Sequence, residues 1–492
     1  MRRSIAGLIL LPALAAAAGS PAIVDAVRDG HRAQALELIA SAADVTAPAA
    51  DGTTALHWAV RQNDIDLAAR LLEAGADATA TNRYGVTPLY LAALNGSAAM
   101  IERLIEAGAD ANEVGTEGET VLMTVAQTGV VAAADVLIEH GAAIDAREDW
   151  HGQTALMWAA AERHPAMLGR LIEAGAEIDA VSDVREWERQ NSDEPRAKWL
   201  PPGGFTALLY AAREGCAACV PVLAEAGADL NAATAEEISG VVLALINGHY
   251  DTAMALLTAG TDPNLYDYTG RGALYAAADF HTMPMSNRPA PNVLPNEHSA
   301  LDVMRLALEK GADVDAALSR QAPYRSKIDR GNDTVLSSGT TALLRAAKSA
   351  DLPAIELLLA HGADPTLTTR SGVNALMLAA GVGTSEQDTT GRFKSEADII
   401  RTIDLMLELG LDINAAERGG RTALHGAALQ GFDAVVAALV ERGADLTAED
   451  REGFTPLATA QGLAGGFGFT GDEGRFHEST VALIEGLLEP AE

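Results

Sequence analysis

At 492 residues the chain exceeds what one compact core normally holds, so several domains or a repeat array are expected. Hydrophobic residues make up 48% of it but aromatics only 4%, which suits small helices packed closely and argues against a large all-β domain. A formal net charge of −33, from 35 Lys+Arg against 68 Asp+Glu, repels phosphate backbones and anionic lipid, so no nucleic-acid partner is expected.

The first element is a targeting segment. Residues 1–20 open on Arg2 and Arg3, continue as an apolar run from Ile5 to Ala18 broken by Pro12, and end in small residues through Ser20. That is the three-part layout of a secretory signal, with cleavage expected near Ala17 or Ala18. The apolar run is shorter than the roughly 20 residues of a bilayer span, and a short anchor is the alternative reading. A periplasmic or secreted protein is expected, with no membrane insertion after signal cleavage. Arg far outnumbers Lys, of which there are five, and Ala is abundant, as in proteins of GC-rich bacteria.

From about Ile23 onward the chain repeats itself. A helix-opening segment recurs as Thr54-Ala-Leu-His57, Thr87-Pro-Leu-Tyr90, Thr120-Val-Leu-Met123, Thr154-Ala-Leu-Met157 and Thr206-Ala-Leu-Leu209. Degenerate copies begin at Ser239 and Gly272; then follow Thr341-Ala-Leu-Leu344, Asn374-Ala-Leu-Met377, Thr422-Ala-Leu-His425 and Thr455-Pro-Leu-Ala458. A Gly-Ala-Asp marker follows, as at Gly75, Gly108, Gly227, Gly311, Gly362 and Gly443, and the period from Thr54 to Thr87 to Thr120 is 33 residues. Thr can cap a helix N-terminus, and Pro88 and Pro456 suit a first turn. Ala59, Ala92 and Ala159 keep the first helix thin. Ala68, Leu71 and Leu72 give a second helix its apolar face, and Gly75 ends it in a left-handed cap. Asp77 suits the turn beyond.

The pattern resembles the ankyrin repeat in its period and its T-P-L-H-x-A signature. The resemblance implies an all-α solenoid of helix-turn-helix pairs with protruding β-hairpins. It also implies a protein partner, bound through hairpin tips and the concave face of the first helices. His57 and His425 match the signature histidine, which implies hydrogen bonding between repeats.

Breaks in phase locate loop insertions. Thr to capping Gly is normally 21 residues and Gly to the next Thr 12, whereas Gly175 to Thr206 is 31 and Gly311 to Thr341 is 30, which widens two hairpins near 182–200 and 317–336. Gly272 to Gly311 is 39 and Asn374 to Gly410 is 36, which widens the turn between helices near 280–299 and 381–397; a similar excess falls at 462–479. The expected plan is a signal at 1–20, an N-terminal cap at 21–50, repeats at 51–268 and 269–451, and a C-terminal cap at 452–492. Loops on a rigid scaffold commonly carry function, and the three interhelical insertions are expected to gather on one surface.

The tips carry Tyr84, Trp150, His151, Phe205, Tyr266 and Tyr268, with Trp187 and Trp199 in the first insertion, and these eight are the partner-binding candidates. Tyr and Trp are favoured anchors; the alternative is that the rings pack on their own hairpins. Trp58, Trp158 and Tyr210 are expected to pack. Cys216 and Cys219 lack the βαβ context of a redox motif and are expected to be buried, with or without a local disulfide. His281, His298 and Glu297 lack a metal-ligand spacing, and Gly465-Gly-Phe-Gly468 lacks a phosphate-loop pattern. No catalytic residue, cofactor or metal is therefore expected, and a monomeric binding scaffold is the reading. The alternatives are a ligand- or metal-binding protein or enzyme built on the insertions near His281, His298 and His477, and an exported effector.

Overall fold

The computed structural model describes residues 20–184, 203–282, 295–321, 335–384, 394–463 and 475–489. Among them stand twenty-four helices in twelve consecutive pairs, from Ala22–Arg28 to Glu478–Leu488. The all-α repeat architecture expected from the sequence is present.

The pair Ala55–Arg61 and Ile65–Glu73 shows why each unit forms. Thr54 sits in extended backbone at φ −95° and its hydroxyl accepts the backbone N–H of His57, satisfying one of the donors that a helix start leaves open. Thr87, Thr120, Thr154, Thr206, Thr341 and Thr455 cap in the same way, and Asn374 does so with its amide oxygen. Pro88 and Pro456 occupy first turns, where a missing N–H costs nothing. Gly75 follows the second helix at φ +94°, and a Cβ there would meet nothing within 4 Å. Backbone conformation rather than space therefore selects glycine. In the turn beyond, the Asp77 carboxylate accepts the hydroxyl of Thr79 at 2.7 Å and its N–H at 2.8 Å, which holds its pKa below the usual value.

No single pair could hide its own apolar face. Leu56, Ala59, Ala68 and Leu71 are all fully buried, and Leu72 half-buried, because neighbouring pairs stack on them. Each fully buried Leu contributes about 1.5–3 kcal/mol.

Specific bonds set the register of the stack. His57 Nε2 meets the carbonyl of Val86 at 3.0 Å, and His425 Nε2 meets that of Phe454 at 3.0 Å, as the signature histidine implied. The Asn112 side chain donates to the Gly141 carbonyl and accepts the N–H of Ala143; Asn414 does the same with Gly443 and Asp445. Asn264 repeats this bridge to Gly311 and Asp313, but across 47 residues instead of 29. Most of the 18 extra residues fall between helices Ala273–His281 and Ala300–Glu309 and leave the stacking bond unchanged. The hairpin insertions close equally well. Val184 pairs with Gly203 and Ala317 with Thr341, like Val114 with Thr120 in a hairpin of ordinary length.

Internal contacts part the chain into two compact units, one ending at Ala180 and one beginning at Val181, with five and seven of the helix pairs. In the second unit Cys216 and Cys219 are buried and joined by a disulfide, with their Cα atoms 5.2 Å apart. No helix among the described residues is long and apolar enough to cross a membrane.

Candidate functional site

The hairpin candidates divide by exposure. Tyr84 (42%), Trp150 (56%) and Tyr266 (39%) stand out from the surface, and His151 is exposed beside Trp150, with ring centroids 5.8 Å apart. Arg83 lies 4.8 Å over the Tyr84 ring and donates to its hydroxyl at 2.6 Å, while Glu148 accepts the Trp150 backbone N–H at 2.6 Å. These bonds fix the tips while leaving the rings outward. Tyr268 and Phe205 are half-buried. Arg320 lies over Tyr268, and Phe205 packs 5.2 Å from Tyr210 with the Arg213 guanidinium over both rings. Trp187 and Trp199 lie outside the described residues.

The first-helix face differs between the two units. In the first, Trp58 and Trp158 are half-buried, Leu94 is exposed, and the Trp158 indole N–H has no hydrogen-bond partner among the described residues. In the second, Tyr210 is buried, and the equivalents of Trp58 and Leu94 in one repeat are Arg345 and Lys348, both fully buried. Segments at the roots of the insertions lie over this face. A Cβ on Gly383 would fall 2.6 Å from that of Val335, and one on Gly426 would fall 2.6 Å from the Val382 nitrogen. Gln430 clamps the same segment by donating to the Thr384 carbonyl at 2.7 Å.

In the neighbouring repeats is a buried polar network, which carries ionised groups only because they are paired. Arg345 Nε donates to the Asp279 carboxylate, its Nη1 to the Ser349 hydroxyl, and its Nη2 to the Asp279 carbonyl at 3.2 Å. Thr282 donates to Ser349 at 3.1 Å. Next to it, His281 Nδ1 meets Asp351 at 2.6 Å, which raises the pKa of the imidazole. A cavity of about 510 Å³ opens beside this network, lined by Thr282, Ser349, Asp351, Glu356, Lys394 and Arg401 among others. The three repeats that build it begin at Gly272, Thr341 and Asn374, and Thr282 and Lys394, from the described ends of the interhelical insertions near 280–299 and 381–397, meet at one site. No described residue of the insertion at 462–479 is among those named on its wall. His298 pairs with Asp251 at 2.8 Å, apart from His281, and His477 meets the Leu429 carbonyl at 2.9 Å. Among the described residues no three His, Cys, Asp or Glu side chains gather as a metal requires.

Asp279, Arg345, Lys348 and Asp351 escaped the sequence reading, which followed aromatic residues and insertion lengths. A signal was present in Leu344-Arg-Ala-Ala-Lys348, since charges stand there in slots held by Trp158 and Ala161 in another repeat.

The model for ankyrin repeats in three copies matches residues 23–114 and 92–182, and the single-repeat model matches 203–235, 338–370 and 419–451, together just over half of the chain. The chain belongs to the ankyrin repeat family. Ankyrin repeats are protein-binding scaffolds, and that is the coarse function of this chain. The matched ankyrin repeats omit 236–337 and 371–418, where the degenerate copies and two of the three interhelical insertions lie; helix pairs nevertheless stack there. A palmitoyltransferase of Lachancea kluyveri is 30% identical over 177 residues, covering 35% of this chain and 22% of that protein. An ankyrin repeat and KH domain-containing protein of Caenorhabditis elegans is 32% identical over 37% of this chain and 7% of its own length. An E3 ubiquitin-protein ligase of Arabidopsis thaliana is 27% identical over 56% of this chain and 16% of its own. The chain thus spans less than a quarter of the curated relatives it matches. Among solved structures, the human ASB11 ankyrin repeat domain is 24% identical, with a TM-score of 0.41 over 50% of this chain and 100% of that one.

Proposed function

We propose that this ankyrin array is an exported, monomeric scaffold that holds a partner protein on the aromatic hairpin edge and open first-helix face of its first unit. The observation that carries the reading is the exposure of Trp150 and Tyr84, at 56% and 42%, in a chain with only 4% aromatic residues. Large rings held outward by bonds to their own hairpins bury much area on binding while ordering few torsions, which is the character of an interface anchor. Trp58, Leu94 and Trp158 extend the apolar surface on the first helices. Export rests on the signal-like layout of residues 1–20 and is supported by the buried cysteine pair at disulfide distance, a bond that persists in oxidising compartments.

The test is crosslinking of the tagged full chain in its native envelope, followed by the same experiment on the double variant Tyr84→Ala, Trp150→Ala. The expected result is a partner captured by the parent and lost by the variant, with a melting shift below about 2 °C. Undiminished capture by the variant would remove the hairpin edge from the reading. Recovery of an untrimmed chain in the cytoplasm alone would remove export.

A further inference from the structure

The cavity at the root of the interhelical insertions shares no residue with the aromatic edge, and its chemistry points to a different ligand. The charged groups on its wall are Asp351, Glu356, Asp398, Lys394 and Arg401. Three of these are engaged within the fold. Asp351 holds His281 and caps the helix Leu352–Ala360 by accepting the Ala354 N–H. Asp398 accepts the Ser395 hydroxyl at 2.6 Å. Lys394 donates to the carbonyls of Lys348 at 2.9 Å and Ala379 at 3.1 Å. Glu356 and Arg401 remain, on the second helices of consecutive repeats. Both are exposed, and neither has an ionic or hydrogen-bonded partner among the described residues.

The wall is prepared from beneath. Ser349 and Thr282, two of its hydroxyl groups, are bonded to each other and to the buried Arg345, which Asp279 neutralises. Stacking does not require that network, because other repeats fill the Arg345 slot with Trp58, Leu91, Trp158 or Tyr210. A buried ion pair adds little to stability over an apolar replacement but fixes the position of what it touches. Here it holds Ser349 and, through it, the Thr282 hydroxyl on the cavity wall.

A simple anion would meet three carboxylates on this wall, and a simple cation would leave Arg401 without a counter-charge. We infer that the cavity binds a small zwitterion of the amino-acid or short-peptide class, its carboxylate on Arg401, its ammonium on Glu356, and its polar remainder on Thr282, since the Ser349 hydroxyl is fully engaged by Arg345 and Thr282. The volume of about 510 Å³ is in the range of small-molecule sites, and guanidinium and carboxylate are the side chains that pair most directly with the two ends of such a ligand.

The experiment is calorimetric titration and thermal-shift measurement on the purified full chain. The probes are a panel of free α-amino acids and dipeptides, each beside its N-acetylated form, which lacks the ammonium, and its amide, which lacks the carboxylate. One or more zwitterions should bind and raise the melting midpoint, and both blocked forms should bind at least about tenfold more weakly. Arg401→Met and Glu356→Gln, both at exposed positions, should keep the parent's melting curve without ligand and each weaken binding about tenfold. Free amino acids binding more tightly than dipeptides would identify a metabolite-sized ligand, and the reverse order a peptide terminus; either supports the site. Failure of every zwitterion to bind at millimolar concentration, equal binding of the blocked forms, or unchanged binding in both variants would overturn it.

Discussion

The same slots of the repeat face opposite conditions in the two units. In residues up to Ala180, the first helices present Trp58, Leu94 and Trp158 partly or wholly to solvent. In residues from Val181, they bury Asp279, Arg345 and Lys348. An open first-helix face suits a partner that arrives from outside. A covered one calls for charges in pairs, because desolvated ions without partners are costly. The difference shows that the same repeat slot can serve as a surface in one unit and as a charged interior in another.

The largest expected effect comes from breaking the covered side. Asp279→Ala leaves the Arg345 guanidinium buried without its counter-charge and should cost about 3–5 kcal/mol. Hydrogen exchange should accelerate in helices Ala273–His281 and Ala342–Lys348 and stay unchanged in Ala55–Arg61 and Ala155–Ala161. A loss shared evenly by all four helices would break the comparison. Gly426→Ala comes next. Its methyl would sit 2.6 Å from the Val382 nitrogen, so the crossing segment must move. Overpacking of this kind costs about 1–3 kcal/mol, offset by about 1 kcal/mol of helix propensity, for a net loss of roughly 1 kcal/mol. Gly486→Ala is the control, since nothing lies within 4 Å of its added carbon, and it should stabilise by about 0.5–1 kcal/mol. Equal outcomes in denaturant titration would mean that Val382 does not rest on that helix.

A smaller effect depends on pH. Burial holds the pKa of His57 and His425 below the ordinary value, so the folded chain takes up fewer protons than the unfolded one. Their stability contribution is therefore present above the unfolded histidine value of about 6.5 and is lost as pH falls below it. His281 has the opposite sign. Asp351 raises its pKa, so its contribution is full below about 6.5 and disappears as pH rises through the folded value. His281→Gln should steepen the acid loss of melting temperature between pH 8 and pH 5, and curves parallel to those of the parent would remove His281 from this account. The smallest expected effect on stability belongs to the Tyr84→Ala, Trp150→Ala pair, whose readout is partner capture.

Much of the fold was legible because each repeat position has a local cause. Thr54 caps, Gly75 requires a left-handed backbone, and Asp77 bonds to Thr79, so each residue announces its place without reference to distant partners. The insertions were legible for the same reason, since fixed markers turn a change of spacing into a location. The polar cavity was not. Its parts, Thr282, Ser349, Glu356 and Arg401, are spread over some 120 positions and meet only through stacking, and none is rare or oddly spaced in its own repeat. The packing of Phe205 on Tyr210 was equally hidden, because a ring at a hairpin base and one at a tip look alike in a linear pattern.

The bridge from Asn264 to Gly311 and Asp313 has a further consequence. The stack closes beneath an insertion of 18 residues with the same pair of bonds it uses where nothing is inserted. Lengthening a loop already closed in this way costs only about 0.6 kcal/mol per doubling. The segment between the two helices is thus a splice point: sequence there can be exchanged, shortened or replaced by a foreign recognition loop while the asparagine holds the neighbouring repeats in register.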